Sequence, residues 1–250
     1  MRILVTNDDG IYSPGIAALA RVASRFGEVR VVAPDVEQSA ASHAVTASRP
    51  VYYRPTPAFR DAQAFRVNGT PADCVALGTY HWPDLDVVLS GVNLGLNVGN
   101  GIWHSGTVAA AKQAALLDRR AIAFSTPVTG DEPDFATLEP HIEQVLAALL
   151  PETDLHLVNV NIPTDPRGMC WTRQYIGGYD GKVVADTDPA GREIYWFTVV
   201  PLEEFGPDTD LWALQQQYIS ITPLRLNLTD EPALEHLRSR HPFDTDSPAD

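Results

Sequence analysis

The sequence begins with Arg2-Ile-Leu-Val-Thr6, a short apolar run that ends at the turn-forming residues Asn7-Asp8-Asp9-Gly10. An apolar run of this length, bounded by such residues, predicts a buried strand. Apolar residues then recur at helical spacing over about residues 15–26, and Glu28-Val-Arg-Val-Val-Ala33 before Pro34 predicts a second strand. A strand, a crossover helix and a second strand in this order are typical of a parallel βαβ unit.

The same alternation continues to about residue 165. Thr70-Pro71-Ala72-Asp73 has the features of a helix start, with a capping hydroxyl, proline at the first helical position and an acid in the first turn. Further strands are predicted over 86–90, 121–125 and 156–161, and further helices over 108–117 and 136–150. We therefore expect an α/β body over residues 1–165, with a doubly wound, mostly parallel, Rossmann-like sheet in a three-layer arrangement.

The pattern changes beyond about residue 168. Aromatic and β-branched residues alternate with polar ones over 193–200 and 218–222, which predicts hairpins or extended arms. We expect residues 166–230 to be a β-rich extension that completes the same domain and serves oligomerisation. Residues 231–250 are expected to form a short helix, Pro232–Arg238, and a frayed tail. The aromatic residues of the extension, such as Tyr195-Trp196-Phe197, are better buried in a second copy than left in water.

The composition excludes several classes of protein. The 250 residues include 18 Lys and Arg against 32 Asp and Glu, a formal charge of −14, which argues against binding a nucleic-acid polymer. No apolar run is long enough to span a membrane. The first residues are too acidic, and their apolar part too short, for a signal peptide, so we expect a cytoplasmic location. Cys74 and Cys170 are far apart and predict neither a disulfide framework nor a zinc site.

Polar residues gather where the predicted strands end. Because the carboxyl ends of parallel strands meet at one edge of a sheet, these residues are expected to lie together. They are Asp8 and Asp9 after the first strand, Gln38, Ser39, Ser42 and His43 after the second, Ser90, Asn93 and Asn97 after the strand over 86–90, and Ser105 and Thr107 at the end of the same loop.

The adjacent carboxylates of Asp8 and Asp9 repel each other unless a cation or a hydrogen-bond donor neutralises them. A hard divalent cation prefers one or two carboxylates with neutral oxygens, so a serine hydroxyl and an asparagine carbonyl would complete a suitable set. The alternative is a solvated turn in which Asn-Asp-Asp-Gly only reverses the chain.

The glycine-rich stretch over 91–101 leads to Ser105-Gly106-Thr107, which begins an alanine-rich helix. Its glycine spacing matches neither the dinucleotide-binding fingerprint nor the lysine-bearing P-loop. A helix start offers unpaired N–H groups to a phosphate, whereas the alternative is an ordinary Ser or Thr cap. His43 and His104 are candidate acid–base groups, although loop histidines are more often ordinary surface residues.

Taken together, these segments resemble the SurE (survival protein E) family of metal-dependent 5′- and 3′-nucleotidases. The resemblance spans about residues 1–230. It rests on ordered motifs: Met1 to Ile11, Val32-Ala-Pro-Asp35 with Gln38-Ser39-Ala40, Gly69 to Cys74, Ser90 to Gly99, Ser105 to Lys112, Asn159 to Pro163, Asp188 to Gly191, Tyr195-Trp196 and Ser220 to Leu224. One departure is His104, where other members often carry tyrosine.

The resemblance implies one divalent cation, Mg²⁺ or Mn²⁺, held by Asp8, Asp9, Ser39 and Asn93. It further implies hydrolysis of nucleoside 5′- and 3′-monophosphates, in some members of short polyphosphate, and an oligomer with exchanged C-terminal arms. On this basis Asp8, Asp9 and Asn97 are the expected catalytic residues. Asn97 and the stretch Ser105-Gly106-Thr107 are expected to hold the phosphate.

Direct attack by water is the favoured mechanism, while a covalent aspartyl intermediate stays open. One rival function is an aspartyl phosphatase of the haloacid-dehalogenase type, but that chemistry needs D-x-D, and this chain has Asn7 followed by two adjacent aspartates. The other rival is a non-catalytic nucleotide sensor, which would bind nucleotide without turnover. Adjacent acids favour the enzyme, because a passive anion site rarely places carboxylates beside a phosphate.

Overall fold

A computed structural model of the chain describes residues 1–128, 134–177, 181–199 and 205–241. The predicted tail beyond His241 lies outside the described residues. The strands are β1 (Arg2–Thr6), β2 (Glu28–Pro34), β3 (Tyr53–Pro55), β4 (Gln63–Val67), β5 (Val87–Leu94), β6 (Arg120–Thr126), β7 (Leu157–Asn161), β8 (Met169–Trp171), β9 (Gly181–Thr187), β10 (Glu193–Val199) and β11 (Ile219–Pro223). The helices are α1 (Pro14–Ala23), α2 (Pro71–His81), α3 (Gly106–Leu116), α4 (Phe135–Leu149), α5 (Asp210–Gln215) and α6 (Glu231–Arg240), with a 3₁₀ turn over Gly99–Trp103.

A mixed, mostly parallel sheet forms the centre of the protein. In the part of the chain that the structure describes, nine strands pair in the order β3-β4-β2-β1-β5-β6-β7-β11-β8. The six strands from β4 to β7 in this order are mutually parallel. The outer strand β3 is antiparallel to β4, and β11 is antiparallel to β7. The expected α/β sheet is therefore confirmed.

Helices cover both faces of this sheet. Helices α1 and α4 pack against each other on one face, and α2 and α3 pack against each other on the other. Ile3 and Val5 of β1 face the first pair, whereas Leu4 faces the second, as the period of two in a strand requires. Each face thus has its own hydrophobic core, and the predicted three-layer arrangement is confirmed.

Local sequence explains where α2 and α3 begin. Thr70 and Asp73 form a reciprocal capping box at α2, with Pro71 at the first helical position. Helix α3 starts at the side-chain cap of Ser105, and its alanines let it pack close to the sheet.

Two parts of the predicted extension have different places in the structure. Strands β8 and β11 belong to the central sheet, where β11 lies between β7 and β8. Among the described residues, strands β9 and β10 pair with each other alone, as a separate antiparallel hairpin. Trp196 and Phe197 on this hairpin are 58% and 87% exposed. Among the described helices, none has the length and apolar character needed to cross a membrane.

Candidate active site

The turn after β1 is held by the side chain of Asn7. Its amide nitrogen donates to the carbonyl of Gly10 at 3.0 Å and to the hydroxyl of Ser13 at 2.8 Å, and its oxygen accepts from the Gly10 N–H. Ser13 is also the N-cap of α1. Because Asn7 connects the end of β1 to the start of α1, the two aspartates after it have a fixed backbone position.

Asp8 lies against the first turn of α3. Its side chain is buried, with the residue 4% exposed, and its Oδ1 accepts a 2.5 Å hydrogen bond from the Thr107 hydroxyl. A Cβ placed on Gly106 would lie only 2.8 Å from Asp8 Oδ2. Glycine is therefore required at this position if the helix start is to pack against the carboxylate.

Burial makes both aspartates difficult to ionise in the metal-free chain. Desolvation raises the pKa of Asp8, against the opposing effect of hydrogen bonds from the Thr107 hydroxyl and from backbone amides. Desolvation and then the charge of Asp8 raise the pKa of Asp9 to about 7. The charge of Glu37 raises the pKa of both carboxyl groups.

The donor set fits a hard divalent cation. Neither aspartate forms an ion pair with any described residue, so buried Asp8 and half-buried Asp9 have no protein counter-ion there. The described residues contain no group of three or more His, Cys, Asp or Glu side chains arranged for a metal. A cation at Asp8 and Asp9 would therefore take its remaining protein ligands from neutral oxygens, which Mg²⁺ and Mn²⁺ accept.

Asn93 can provide such an oxygen. It lies near the carboxyl end of β5, beyond an irregularity in the register with β6. Its amide nitrogen donates to the carbonyl of Gly95 at 2.6 Å, which orients the side chain and leaves its oxygen as the atom that a cation would contact.

Ser39 has a different environment. The loop after β2 is held at the aspartates, because the Gln38 N–H donates to the Asp8 carbonyl at 2.8 Å. Ser39 follows directly but is exposed, and its hydroxyl donates to Glu37 Oε1 at 2.5 Å. The structure thus brings the backbone of this loop to the site, while the Ser39 hydroxyl bonds to a neighbour in its own loop.

Asn97 belongs to a buried polar cluster at the ends of β6 and β7. Its side-chain nitrogen donates to the Ser125 hydroxyl at 2.8 Å, and its N–H donates to Asn161 Oδ1 at 2.9 Å. Its carbonyl accepts from the side-chain amides of Asn159 and Asn161. This cluster fixes the backbone of the loop that leads from β5 to α3.

The three residues at the start of α3 have distinct contacts. Ser105 acts as the helix cap, since its hydroxyl accepts from the Val108 N–H at 3.0 Å. Gly106 packs on Asp8, and Thr107 donates to it. The start of α3 therefore contacts Asp8, as the topology predicts. Ser105 forms an ordinary helix cap, which was the alternative to a phosphate-binding role.

The two loop histidines have separate contacts. His43 Nε2 is 2.9 Å from Gln113 Oε1, and His43 lines a cleft of about 610 Å³ beside α3. The carbonyl of His104 accepts from the Ser42 N–H. Neither aspartate is among the residues that line this cleft.

The sequence analysis did not single out Glu37 or Asp210. The charge of Glu37 raises the pKa of both aspartates, which identifies it as part of the site. In the sequence, its position next to Gln38, a predicted site residue, could have indicated this. Asp210 is 1% exposed and accepts from the N–H of Gly99, 111 residues away. An acid after Thr209 at a helix start is commonplace, so nothing local indicated that contact.

Comparisons with known proteins cover nearly the whole chain. The family model described as Survival protein SurE matches residues 3–180. The chain is 44% identical over 243 residues to 5′-nucleotidase SurE 1 of Thermus thermophilus, covering 95% of this chain and 96% of that protein. It is 41% identical to 5′-nucleotidase SurE of Deinococcus radiodurans, covering 96% of this chain and 93% of that protein. A crystal structure of the SurE protein from Aquifex aeolicus matches with a TM-score of 0.82 and 34% identity, covering 96% of this chain and 99% of that one.

Proposed function

Because the chain belongs to the SurE family, we propose that it is a phosphomonoesterase that hydrolyses nucleoside 5′-monophosphates to nucleoside and phosphate. The observation that carries this proposal is the pair of buried Asp8 and half-buried Asp9, which has no counter-ion among the described residues and whose Asp8 contacts the start of α3. We extend the proposal to 3′-monophosphates and short polyphosphate as further substrates.

We propose that activity depends on one divalent cation, Mg²⁺ or Mn²⁺. Asp8, Asp9 and the Asn93 oxygen are suited to hold it by their chemistry, and Ser39 is the fourth proposed ligand. When bound, such a cation neutralises charge on the phosphoryl oxygens and lowers the pKa of water.

The residues of the chain bind and orient the reacting groups. Thr107 keeps the Asp8 carboxylate in one orientation through its hydroxyl. The amides at the start of α3 and the side chain of Asn97 are the proposed contacts of the remaining phosphoryl oxygens. Asp9, the less buried of the two acids, is the proposed group that orients the attacking water.

Two rival functions make different predictions. A non-catalytic sensor would bind nucleotide without releasing phosphate. An aspartyl phosphatase of the haloacid-dehalogenase type would form a phosphoryl-aspartate, and the D-x-D pattern that it needs after the first strand is replaced here by Asn7-Asp8-Asp9. Relatives named 5′-nucleotidase over nearly the full chain support the main proposal against both.

The direct experiment measures phosphate release from a panel of nucleoside 5′- and 3′-monophosphates and short polyphosphate. Each substrate is assayed with Mg²⁺, with Mn²⁺ and with a chelator in excess. Release that needs a divalent cation supports the proposal. Nucleotide binding without any phosphate release would contradict it and favour the sensor.

We also propose that the protein is at least a dimer. The β9–β10 hairpin exposes Tyr195, Trp196 and Phe197 by 57%, 58% and 87%. Large aromatic side chains grouped on an exposed ribbon are typical of a surface that a partner covers.

A further inference from the structure

Asp210 is a buried acid that accepts hydrogen bonds from backbone amides of separate segments. Its Oδ2 accepts from the Gly99 N–H at 2.8 Å, and its Oδ1 accepts from the N–H groups of Tyr175 at 3.1 Å and of Leu211 at 2.9 Å. It forms no ion pair with a described residue. A buried charge is costly unless it is paired or hydrogen-bonded, so these amides are what keeps the carboxylate in place.

Helix capping does not account for this arrangement. The cap of α5 is Thr209, whose hydroxyl accepts from the Trp212 N–H at 3.3 Å. Of the contacts of Asp210, only the one to Leu211 is local to that helix. The other two reach the segment before β9 and the loop between β5 and α3.

Gly99 forms a second hydrogen bond with the same part of the chain. The side-chain amide of Gln174 donates to the Gly99 carbonyl at 2.9 Å. Gly99 has a φ of +51°, and a Cβ on it would lie 3.3 Å from the Tyr175 carbonyl oxygen. Both polar groups of this glycine therefore bond to the C-terminal third of the chain.

Gly99 lies two residues after Asn97 and six before Ser105, so its position bears on both ends of the loop. Asn97 is fixed by the side chains of Asn159 and Asn161 at the end of β7. The 3₁₀ turn over Gly99–Trp103 then leads directly to the start of α3. The conformation of the proposed phosphate-binding loop is thus set at Asn97 by the α/β body and at Gly99 by Asp210 and Gln174.

We propose that Asp210, together with Gln174, is a positioning residue that holds the loop over residues 97–103 in the conformation that binds phosphate. This inference rests on the proposed function and adds to it a role for residues outside the α/β body. Asp210 acts through Gly99 and needs no contact with the substrate.

The test compares Asp210→Asn with Asp208→Asn in the full-length protein. Asparagine keeps the shape of Asp210 but replaces one acceptor oxygen with an NH₂ group, which cannot accept from an amide. Asp208 is exposed and two residues away, and its change removes the same charge. We expect Asp210→Asn to raise both the KM for a nucleoside monophosphate and the Ki for inorganic phosphate by about tenfold or more. Asp208→Asn is expected to leave both unchanged, and Mn²⁺ affinity by calorimetry should change less than about threefold in either variant.

Two further measurements separate positioning from stability. Gln174→Leu removes only the bond to the Gly99 carbonyl, and should raise the same two constants by a smaller factor. Hydrogen exchange of the peptide over 97–103 should rise in Asp210→Asn, while exchange in α4 stays as in the wild type. If Asp210→Asn does not fold, the KM and the phosphate Ki of Gln174→Leu test the positioning role instead.

The inference is overturned if folded Asp210→Asn, or Gln174→Leu in its place, keeps the wild-type KM and Ki. Failure of the proposed function gives a different result, because the wild-type protein itself would then release no phosphate from any nucleotide. In that case the exchange of the 97–103 peptide still decides whether Asp210 holds the loop.

Discussion

Thr107, in the first turn of α3, donates its hydroxyl hydrogen to Asp8 Oδ1 at 2.5 Å, across 99 residues of sequence. From sequence, Thr107 is a phosphate-binding candidate and Asp8 a metal ligand. The bond joins these two proposed functions in one buried contact. A change at the helix start is therefore expected to alter the proposed metal site as well.

Thr107→Val is expected to weaken Mn²⁺ binding by about tenfold, because buried Asp8 loses its hydroxyl donor. Thr107→Ser keeps the donor and should bind Mn²⁺ nearly as the wild type does. Calorimetric titration of both variants, together with product inhibition by phosphate, is the measurement. Unchanged Mn²⁺ affinity with weaker phosphate inhibition in the valine variant would limit Thr107 to phosphate binding, as expected from sequence alone.

Asp8→Asn should remove most phosphate release, since it deletes a negative charge from the proposed cation site. We expect a loss larger than the roughly 10- to 100-fold that follows a change in a ligand's hydrogen-bonding partner. Asp118→Asn is the matched control, because Asp118 is exposed at the far end of α3 and undergoes the same charge change. Activity of Asp8→Asn at the wild-type level in excess chelator would refute the metal assignment.

Gly106→Ala tests the close approach of α3 to Asp8. Alanine normally favours a helix by about 1 kcal/mol over glycine, but here its Cβ would meet Asp8 Oδ2 at 2.8 Å. We expect the carboxylate to shift, with about a tenfold or greater fall in kcat/KM while the protein remains folded. Gly206→Ala is the control, because a Cβ there meets no atom within 4 Å. Equal activity of the two variants would mean that the position of Asp8 is unimportant.

The metal-free protein should lose stability as the pH rises from about 4 to 7. Burial, followed by the charge of Asp8, raises the pKa of Asp9 from 3.8 to about 7, and burial also raises that of Asp8. In this window the native state binds more protons than the unfolded chain, so the free energy of unfolding falls with increasing pH. Urea unfolding at several pH values measures the slope.

The matched variant for this slope is Asp9→Asn, which should flatten it. A divalent cation should reduce the decline in the wild type, because it favours the ionised carboxylates. Parallel slopes for the wild type and Asp9→Asn would show that Asp9 is not the group responsible.

Phe197→Asp should dissociate the proposed dimer. Phe197 is 87% exposed on the β9–β10 hairpin, and a carboxylate there would be buried without a partner in an aromatic interface. Light scattering at micromolar concentration gives the mass of the wild type and the variant. A monomeric wild type would contradict the proposed oligomer, whereas an unchanged dimer in the variant would place its interface elsewhere.

The body of the fold was predictable where local signals are strong. Strand β1, with the turn over residues 7–10, and helix α2, with its capping box, are encoded within a few neighbouring residues. Strand β4 was not predicted, because Gln63-Ala-Phe-Arg-Val67 is short and mixed in polarity and its pairing partner, β2, is distant in sequence. Strand β5 extends past the predicted end and contains Gly91, which has a φ of +132° and lies so close to the Phe124 carbonyl that no side chain would fit.

In the candidate site, too, some features could be predicted from neighbouring residues and others depend on distant parts of the chain. Asp8 and Asp9 follow β1, Asn93 lies near the carboxyl end of β5, and strand ends in a parallel sheet meet at one edge. The hydrogen bond that orients Asp8 comes from Thr107, 99 residues away, and therefore depends on tertiary packing. Asp210 could not be assigned from sequence, because its partner Gly99 comes from a segment whose path only the complete fold defines.

Strand β11 lies inside the central sheet although it is among the last segments of the chain to be synthesised. Asp8 leaves the ribosome about 200 residues before Asp210, which at roughly 5–20 residues per second is about 10–40 s. Until β11 is synthesised, β7 lacks its neighbour on that side, and an unpaired strand edge is a template for association with other chains. A chain that stops before residue 219 therefore carries both aspartates but also an open sheet edge, and is expected to aggregate rather than to function as a smaller enzyme.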